Sequence, residues 1–379
     1  MRSWIEIDRG AFEHNVSFAR KLVGPRIELG MVLKANAYGH GLREMALLVE
    51  NNKNITWLLV STIEEALLLR TWGCCKEILV MSYHDTTLVK DALLADIVMS
   101  ITDASVAQTI AHAARTAGIQ ARVHLKIDMG MRRLGVMPYA ARDLLHVYPE
   151  LKIEGIFAHI GITNHPEEGV ISVVVQEFHK LCAMLDPQKK LLHHIGASGL
   201  LWNPGLKDMV RVGTFLYGSW KSPVHRLRIR EHLCDDLMPI MSWKTHIMQI
   251  KQVVAGDCVG YDQVFCATKP MRIAILPVGY ADGYPRALSQ KGVVWVEGCY
   301  APVLGLVSMN LMAINISHIG SAREGSEVML LGPHEYITPS ALATRAGTNP
   351  NDITSRVDPH VIRRMVDYSA LAVADEVCL

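Results

Sequence analysis

The chain has 379 residues, half of them apolar and 20% charged, with a net charge of +1. That length exceeds one ordinary core and predicts two domains. A charge near zero with no basic block argues against nucleic acid or an anionic membrane surface as the main partner, and every apolar run is broken well before the ~18 residues of a membrane span.

The opening MRSWIEIDRG is charged and lacks the apolar stretch of a signal peptide. WIEID alternates like a strand and is expected to join the second domain rather than the first. Eight short β-branched runs follow: Leu29–Leu33, Trp57–Val60, Ile78–Met81, Ile97–Met99, Val123–Ile127, Ile153–Ala158, Leu191–Ile195 and Met209–Val212. Amphipathic segments separate most of them. IEEALLLR carries capping-box spacing, with Ser61 and Glu64, and Thr62 and Glu65, three apart. ASVAQTIAHAARTAG stops on Gly118, and PYAARDLLHVY opens on proline, a common first helical residue. Runs alternating with helices predict βαβ units. Eight of them predict an α/β fold with a (β/α)8 TIM barrel over residues 1–233, a doubly wound open sheet being the alternative.

From about Leu237 the texture changes. KTHIMQIKQVVAGD, MRIAILPVGYADG, GVVWVEGCYAPVLGLVSM and SEVMLLG are strand-like, and helical periodicity returns only in ITPSALATRAG. Residues 234–379 therefore read as a mainly β domain. The boundary falls in the charged stretch from Lys221 to Asp236, which contains Pro223. The eight cysteines include no C-x-x-C pair and read as scattered reduced thiols in a cytoplasmic protein, with no metal site. Adjacent His193 and His194 cannot share a strand face and read as one core and one surface residue.

In a barrel of this kind the active site lies at the C-terminal ends of the strands. Those ends offer Lys34 and Tyr38; Lys126, Asp128, Arg132 and Arg133; His159; Ser198; and Arg211, Gly213 and Thr214. Cations and hydroxyls dominate, and Asp128 is the only acid. Ser198, Gly213 and Thr214 fall where such barrels bind phosphate. The planar fork of Arg133 suits a carboxylate. A lysine, a phosphate site and a carboxylate site together describe pyridoxal 5'-phosphate acting on an amino acid. Singly, each residue has a plainer reading: Lys34 a surface lysine, Arg133 and Arg211 structural ion pairs, His159 a core histidine, Ser198 a helix cap. Their joint placement at strand ends is what favours chemistry.

LKANAYGHG, HLKIDMGMRRLG, GIFAHI, HIGAS, MVRVGTFLYG and PVGYADGYPR occur in an order and at a spacing that resemble the alanine racemase family, from WIEID to about Arg363. The resemblance implies a pyridoxal-phosphate enzyme working as a head-to-tail homodimer with shared active sites. By position, Lys34 resembles the Schiff-base lysine and one catalytic base. Tyr280, in VGYADG, resembles the second base, reaching the cofactor of the other subunit. Tyr38 and Ser198 are implied to hold the phosphate with the backbone of Gly213 and Thr214. Arg211 is implied to face the pyridine nitrogen and to be hydrogen-bonded by His159. Arg133 steadies the substrate carboxylate, Met309 supplies a carboxylate contact from the partner, and Lys126 matches a position carbamylated in many members. An arginine at the pyridine nitrogen weakens the ring as an electron sink and favours racemisation over transamination.

Three departures from the family pattern bear on substrate. The usual Cys-Met-Asp triplet reads Ser308-Met309-Asn310, Ala197 stands where asparagine is common, and ITSRV puts Ser355 in place of a pocket-side tyrosine. These resemble serine/alanine racemases, some of which are soluble domains of membrane proteins. The expectation is activity on both alanine and serine; the alternatives are a strict alanine racemase, a decarboxylase of the same architecture, or a pyridoxal-phosphate carrier.

Overall fold

The computed structural model describes residues 2–82, 84–162, 167–203, 205–206, 208–230 and 236–368. Strand β1 (Ser3–Asp8) precedes the barrel in sequence. The barrel strands are β2 (Glu28–Val32), β3 (Trp57–Val60), β4 (Glu77–Val80), β5 (Val98–Ile101), β6 (Ala121–Ile127), β7 (Leu151–Ala158), β8 (Leu192–His194), β9 (Gly196–Ala197) and β10 (Met209–Val212). All pair in parallel, in the order β8-β7-β6-β5-β4-β3-β2-β10-β9. β8 and β9 are two halves of one strand interrupted at Ile195. The first half pairs with β7 and the second with β10, so the sheet closes on itself as a (β/α)8 barrel.

These strands are buried on both faces, which is why their sequences read as continuous apolar runs rather than alternating ones. Val32, Trp57, Leu59, Leu79, Val98 and Met209 form a separate cluster that fills the barrel interior. Their neighbours in the strands face the helical layer. Thr62 caps the helix Ile63–Thr71, and Asp103 caps Ala104–Ala117, which ends on left-handed Gly118. PYAARDLLHVY is not the full helix its pattern predicts. It makes a 3-10 turn, Pro138–Ala140, and one α-turn, Ala141–Leu144. The preceding residues are taken up by a loop that folds Val136 back onto Ile127, leaving little chain for a longer helix before β7.

The second sheet has the order β12-β13-β16-β15-β14-β17-β11-β1-β18. Its strands are β11 (Met241–His246), β12 (Gln249–Val253), β13 (Met271–Leu276), β14 (Val293–Val296), β15 (Cys299–Leu304), β16 (Met312–Asn315), β17 (Glu327–Leu331) and β18 (Ile362–Val366). β1 lies antiparallel to β11 and parallel to β18. The Lys244 ammonium bridges Glu6 at 2.8 Å and Glu327 at 2.9 Å, tying the start of the chain to this sheet. Two interactions join the units near the barrel mouth. Asn351, on the helix Pro350–Ser355, exchanges hydrogen bonds with Thr214, and the Arg363 guanidinium donates to the Gly39 carbonyl at 2.9 Å.

The cysteines do not all follow the expectation of free thiols. Cys258 and Cys266 oppose each other across an isolated antiparallel bridge, Cα atoms 4.0 Å apart, and are disulfide-bonded. Strand pairing made them neighbours, and their separation of eight residues carries no sequence signal for it. Cys74, Cys75, Cys182 and Cys299 remain thiols, while Cys234 and Cys378 lie outside the described residues. No helix among the described residues is long and apolar enough to cross a membrane.

Candidate active site

A cavity of about 290 Å³ opens at the C-terminal ends of the barrel strands. Lys34, Lys126, Arg133, Arg211 and Lys221 line it, and among the described residues no carboxylate does. Tyr38, Ser82, His159, Ser198, Thr214 and Asn351 add polar side chains, with Val32, Met81, Met131, Phe157, Ile160 and Ala197 as apolar surface and Gly213 at its edge. Five cations gathered around one space repel each other and lower the cost of bringing in an anion.

Lys34 follows β2 directly. Burial lowers its pKa, the positive charge of Arg133 and of Lys221 adds to the effect, and Glu65 opposes it. The next four residues, Ala35, Asn36, Ala37 and Tyr38, all hold positive φ, between 52° and 55°. A run of non-glycine residues in the left-handed region is strained and survives only where its surroundings over-determine it. The fixings are visible. Ala35 N–H donates to Glu65 Oε1 at 2.6 Å, Asn36 Oδ1 accepts from Leu42 N–H at 2.7 Å, and Gly39 ends the turn at φ 83°. A side chain at Gly39 would collide with the Thr354 carbonyl.

The turn delivers the Tyr38 ring against Tyr217, centroids 4.8 Å apart, and Tyr217 donates to the Val32 carbonyl at 2.9 Å. Burial pushes the Tyr38 phenol up to about 12, so it stays a hydrogen-bond donor. Its hydroxyl lies 2.5 Å from where a Cβ on residue 213 would sit, so a side chain there would displace the Tyr38 ring. The Ser198 oxygen accepts from Gly213 N–H at 2.9 Å and from Phe215 N–H at 3.5 Å, which leaves its own proton to donate elsewhere. The Gly213 N–H is thus engaged with Ser198, where the sequence predicts it to face a phosphate.

Arg211 is buried in the barrel wall. Its Nη2 donates to the Ala158 carbonyl at 2.6 Å, and its Nη1 donates to the carbonyl of His194 at 2.7 Å and to His194 Nδ1 at 2.8 Å. The sequence predicts His159 as the arginine's partner. Among the described residues its hydrogen-bonding histidine is His194, because β8 turns that ring inward at the break before Ile195. His193 and His194 are both buried, against the expectation of one surface residue. His193 is turned to the other side of the strand, toward Asp186 at 3.2 Å.

An arginine only donates, so His194 Nδ1 accepts and its Nε2 carries the proton. That proton goes to His124 Nδ1, 2.9 Å away. Burial holds His124 down to about 3 and His194 well below its ordinary value, with Arg211 adding to both. Arg211 is therefore a cation set against two neutral rings. Burial pushes it down to about 9, still charged at neutral pH. His159, at the cavity wall, is held down to about 3 by burial and then by Arg211 and Arg133. The Lys126 ammonium donates to the Met81 carbonyl at 2.9 Å, and burial with the positive charge of Arg133, Arg211 and Lys34 pushes it down to about 8. Asp128 does not line the cavity. It caps the adjoining loop by accepting from Gly130 and Arg132 N–H groups.

Tyr280, Met309, Asn310 and Ser355 are not at this cavity. Tyr280 and Met309 stand exposed on the β domain, 42% and 56% accessible. Two backbone hydrogen bonds, from Tyr280 N–H to the Ser308 carbonyl and from Ala281 N–H to the Met309 carbonyl, join their segments into one knob. Ser355 is exposed at the end of its helix, and Asn351, one turn earlier, takes the place at the cavity. Lys221, His194 and Asn351 are the residues the sequence reading passes over. Lys221 falls in the stretch read as a domain boundary, and Asn351 could have been found by extending the Ser355 argument back along the helical repeat.

The family model described as the alanine racemase N-terminal domain matches residues 7–221, and that described as the alanine racemase C-terminal domain matches residues 240–365. An alanine racemase of Syntrophobacter fumaroxidans is 36% identical over 359 residues, covering 91% of this chain and 92% of that protein. An amino-acid racemase of Enterococcus faecalis is 31% identical over 96% of this chain but only 52% of its own length. Among solved structures, an alanine racemase of Clostridium difficile 630 superposes with a TM-score of 0.90 at 28% identity, covering 97% of this chain and 96% of that one.

Proposed function

This chain belongs to the alanine racemase family, and on that premise we propose that it interconverts the L- and D-forms of alanine and of serine. Pyridoxal phosphate is bound at the barrel mouth, and each site is completed by a second copy of the chain. The observation that carries this is the anion-seeking cavity: five cations, Lys34 among them, and no carboxylate among the described residues of its lining.

The residues present fit the cofactor. Lys34, with its lowered pKa, is suited to attach a carbonyl compound through its amine. Tyr38, held as a phenol, and Ser198, whose proton is free, are suited to hold a phosphate, with Thr214 beside them. Arg211, lining the cavity and still charged at neutral pH, is suited to face the ring nitrogen and would disfavour protonation of that nitrogen. When bound, the pyridoxal ring supplies the conjugated system that takes up the electrons of the Cα–H bond.

Inverting a stereocentre requires a proton to leave one face and another to arrive on the opposite face. Lys34 is the base on one side. Tyr280 of the partner subunit is the base on the other, with the partner's Met309 contacting the substrate carboxylate alongside Arg133. The exposure of Tyr280 and Met309, and their union in one knob, supports this division. Lys126, donating to Met81 with a pKa near 8, is suited to lose its ammonium proton and then, as the neutral amine, to add carbon dioxide with release of a second proton, which would replace a cation beside Arg133 by an anion. Carbon-13 bicarbonate and NMR would read that carbamate directly; no carbamate signal above pH 8 would refute it.

For the substrate, we place weight on Asn351 rather than Ser355. A short amide held by Thr214, with Ala197 opposite, leaves room and a polar edge for a hydroxymethyl group. Asn310 brings an amide rather than an acid to the knob. The test is incubation with L-alanine and L-serine followed by chiral chromatography, repeated with Asn351→Tyr. Both D-isomers should form, and the variant should depress serine turnover about tenfold more than alanine turnover. An unchanged ratio would return the chain to a strict alanine racemase. Borohydride reduction and peptide mapping should find the cofactor on Lys34.

A further inference from the structure

Glu65 lies outside the cavity lining, yet one of its oxygens bonds the lysine turn and the other the residue that follows β3. Oε1 accepts the Ala35 N–H at 2.6 Å, and Oε2 accepts the Ser61 N–H at 2.9 Å. Its capping-box spacing from Thr62 predicts a return bond to the Thr62 backbone. Instead only half of the box forms, with Thr62 Oγ1 accepting the Glu65 N–H at 3.3 Å. The carboxylate has been turned away from its own helix and across to β2. There it joins the first residue of a strained left-handed run to the end of β3. A backbone N–H at the start of such a run, directly after Lys34, has no helical partner and needs an external acceptor.

We propose that Glu65 is the positioning residue for Lys34: it clamps the left-handed turn by its two backbone hydrogen bonds and sets the ammonium's charge balance as its neighbouring anion. The groups facing Lys34 are otherwise positive: Arg133 from the loop after β6, Lys221 beyond β10, and Lys126 on β6, with His159 neutral after β7. Glu65 alone among the charges acting on the lysine favours its protonated form. The clamp therefore keeps the amine in place and stops its pKa from falling further. This inference rests on Lys34 being the cofactor lysine.

The test uses the apoenzyme first. Labelling with trinitrobenzenesulfonate across a pH series, followed by peptide mapping, gives the pH at which Lys34 is half reactive. In Glu65→Gln that pH should fall by roughly half a unit to one unit, because an anion near the ammonium is lost and one amide hydrogen now faces a donor. Glu65→Asp keeps the charge and should restore most of the labelling pH while loading pyridoxal phosphate more slowly. Thr62→Ala removes the ordinary cap of the same helix and should lower Tm without moving the labelling pH. If Glu65→Gln moves only Tm, as Thr62→Ala does, the positioning role is wrong. If the glutamine variant does not fold, failure of Glu65→Asp to hold the wild-type labelling pH overturns the proposal equally. Borohydride mapping in wild-type enzyme keeps the two readings apart: cofactor on another lysine refutes the Lys34 assignment, whereas cofactor on Lys34 with unmoved labelling refutes only the role of Glu65.

Discussion

At the barrel mouth the candidate groups are buried, crowded and charged; on the β domain they stand in the open. Lys34 is held by a strained turn, and its pKa is set by burial and by the charges around it. Tyr280 is 42% accessible on a loop joined to the Met309 segment by backbone hydrogen bonds. A base needs a tuned environment, and a single chain builds one around Lys34 alone. On the function proposed above, the exposed half of the chemistry would acquire its surroundings from another copy, as exposed aromatic and methionine side chains commonly do at interfaces.

The strongest way to break this comparison is to remove each base. Lys34→Ala should retain no covalent cofactor and lose at least about 10⁴-fold in racemisation, whereas Tyr280→Phe should lose about 10²–10⁴-fold and keep the cofactor's absorbance. Equal loss of absorbance in both would mean that Tyr280 acts structurally. Next, the two inactive variants can be unfolded, mixed and refolded together. Half of randomly paired dimers are hybrids with one complete site, so activity should return to about a quarter of wild type. Continued silence after mixing would place Tyr280 in the service of its own chain.

Two smaller effects belong to the barrel side alone. His194→Leu deprives Arg211 of one acceptor and His124 of its donor, and should cost about 1–3 kcal/mol in urea unfolding. Tyr280→Phe should leave the same curve unmoved. The last concerns pH. His40 and His124 are fully buried and pushed down to about 3 from an ordinary 6.5. The unfolded chain binds protons that the folded chain refuses, so stability is complete above about pH 6.5 and falls as pH falls toward 3. The loss approaches about 1 kcal/mol per group per pH unit at the lower end. Urea midpoints at pH 7, 6 and 5 would show the decline, and a flat series would mean that these rings are protonated in the native state.

The fold was readable because parallel strands buried on both faces leave continuous apolar runs, and each of the eight runs falls on a barrel strand. The cavity residues were readable for a related reason: barrel topology brings strand ends together whatever lies between them. Legibility failed where the third dimension intervened. His194 looked like half of a pair divided between core and surface, and only the closed barrel shows that its side of β8 meets Arg211. Asn351 comes from the far end of the chain on a six-residue helix, and no periodicity links it to Thr214. The Cys258–Cys266 bond depends on strand pairing in the β domain, which spacing does not report. Glu65 carried a helix-cap signature, and its bond to Ala35 is a tertiary choice that overrode it.

The five-cation cavity has a consequence for handling the protein. A chain that gathers like charges in a low-dielectric hollow is held back from full stability until something negative enters. Inorganic phosphate or sulfate should therefore act as a partial substitute, raising the melting temperature of the apoenzyme in a way that chloride at equal ionic strength does not. Buffer choice would then govern how much protein survives purification without its cofactor, and an anion left behind from that step would have to be displaced before reconstitution could proceed.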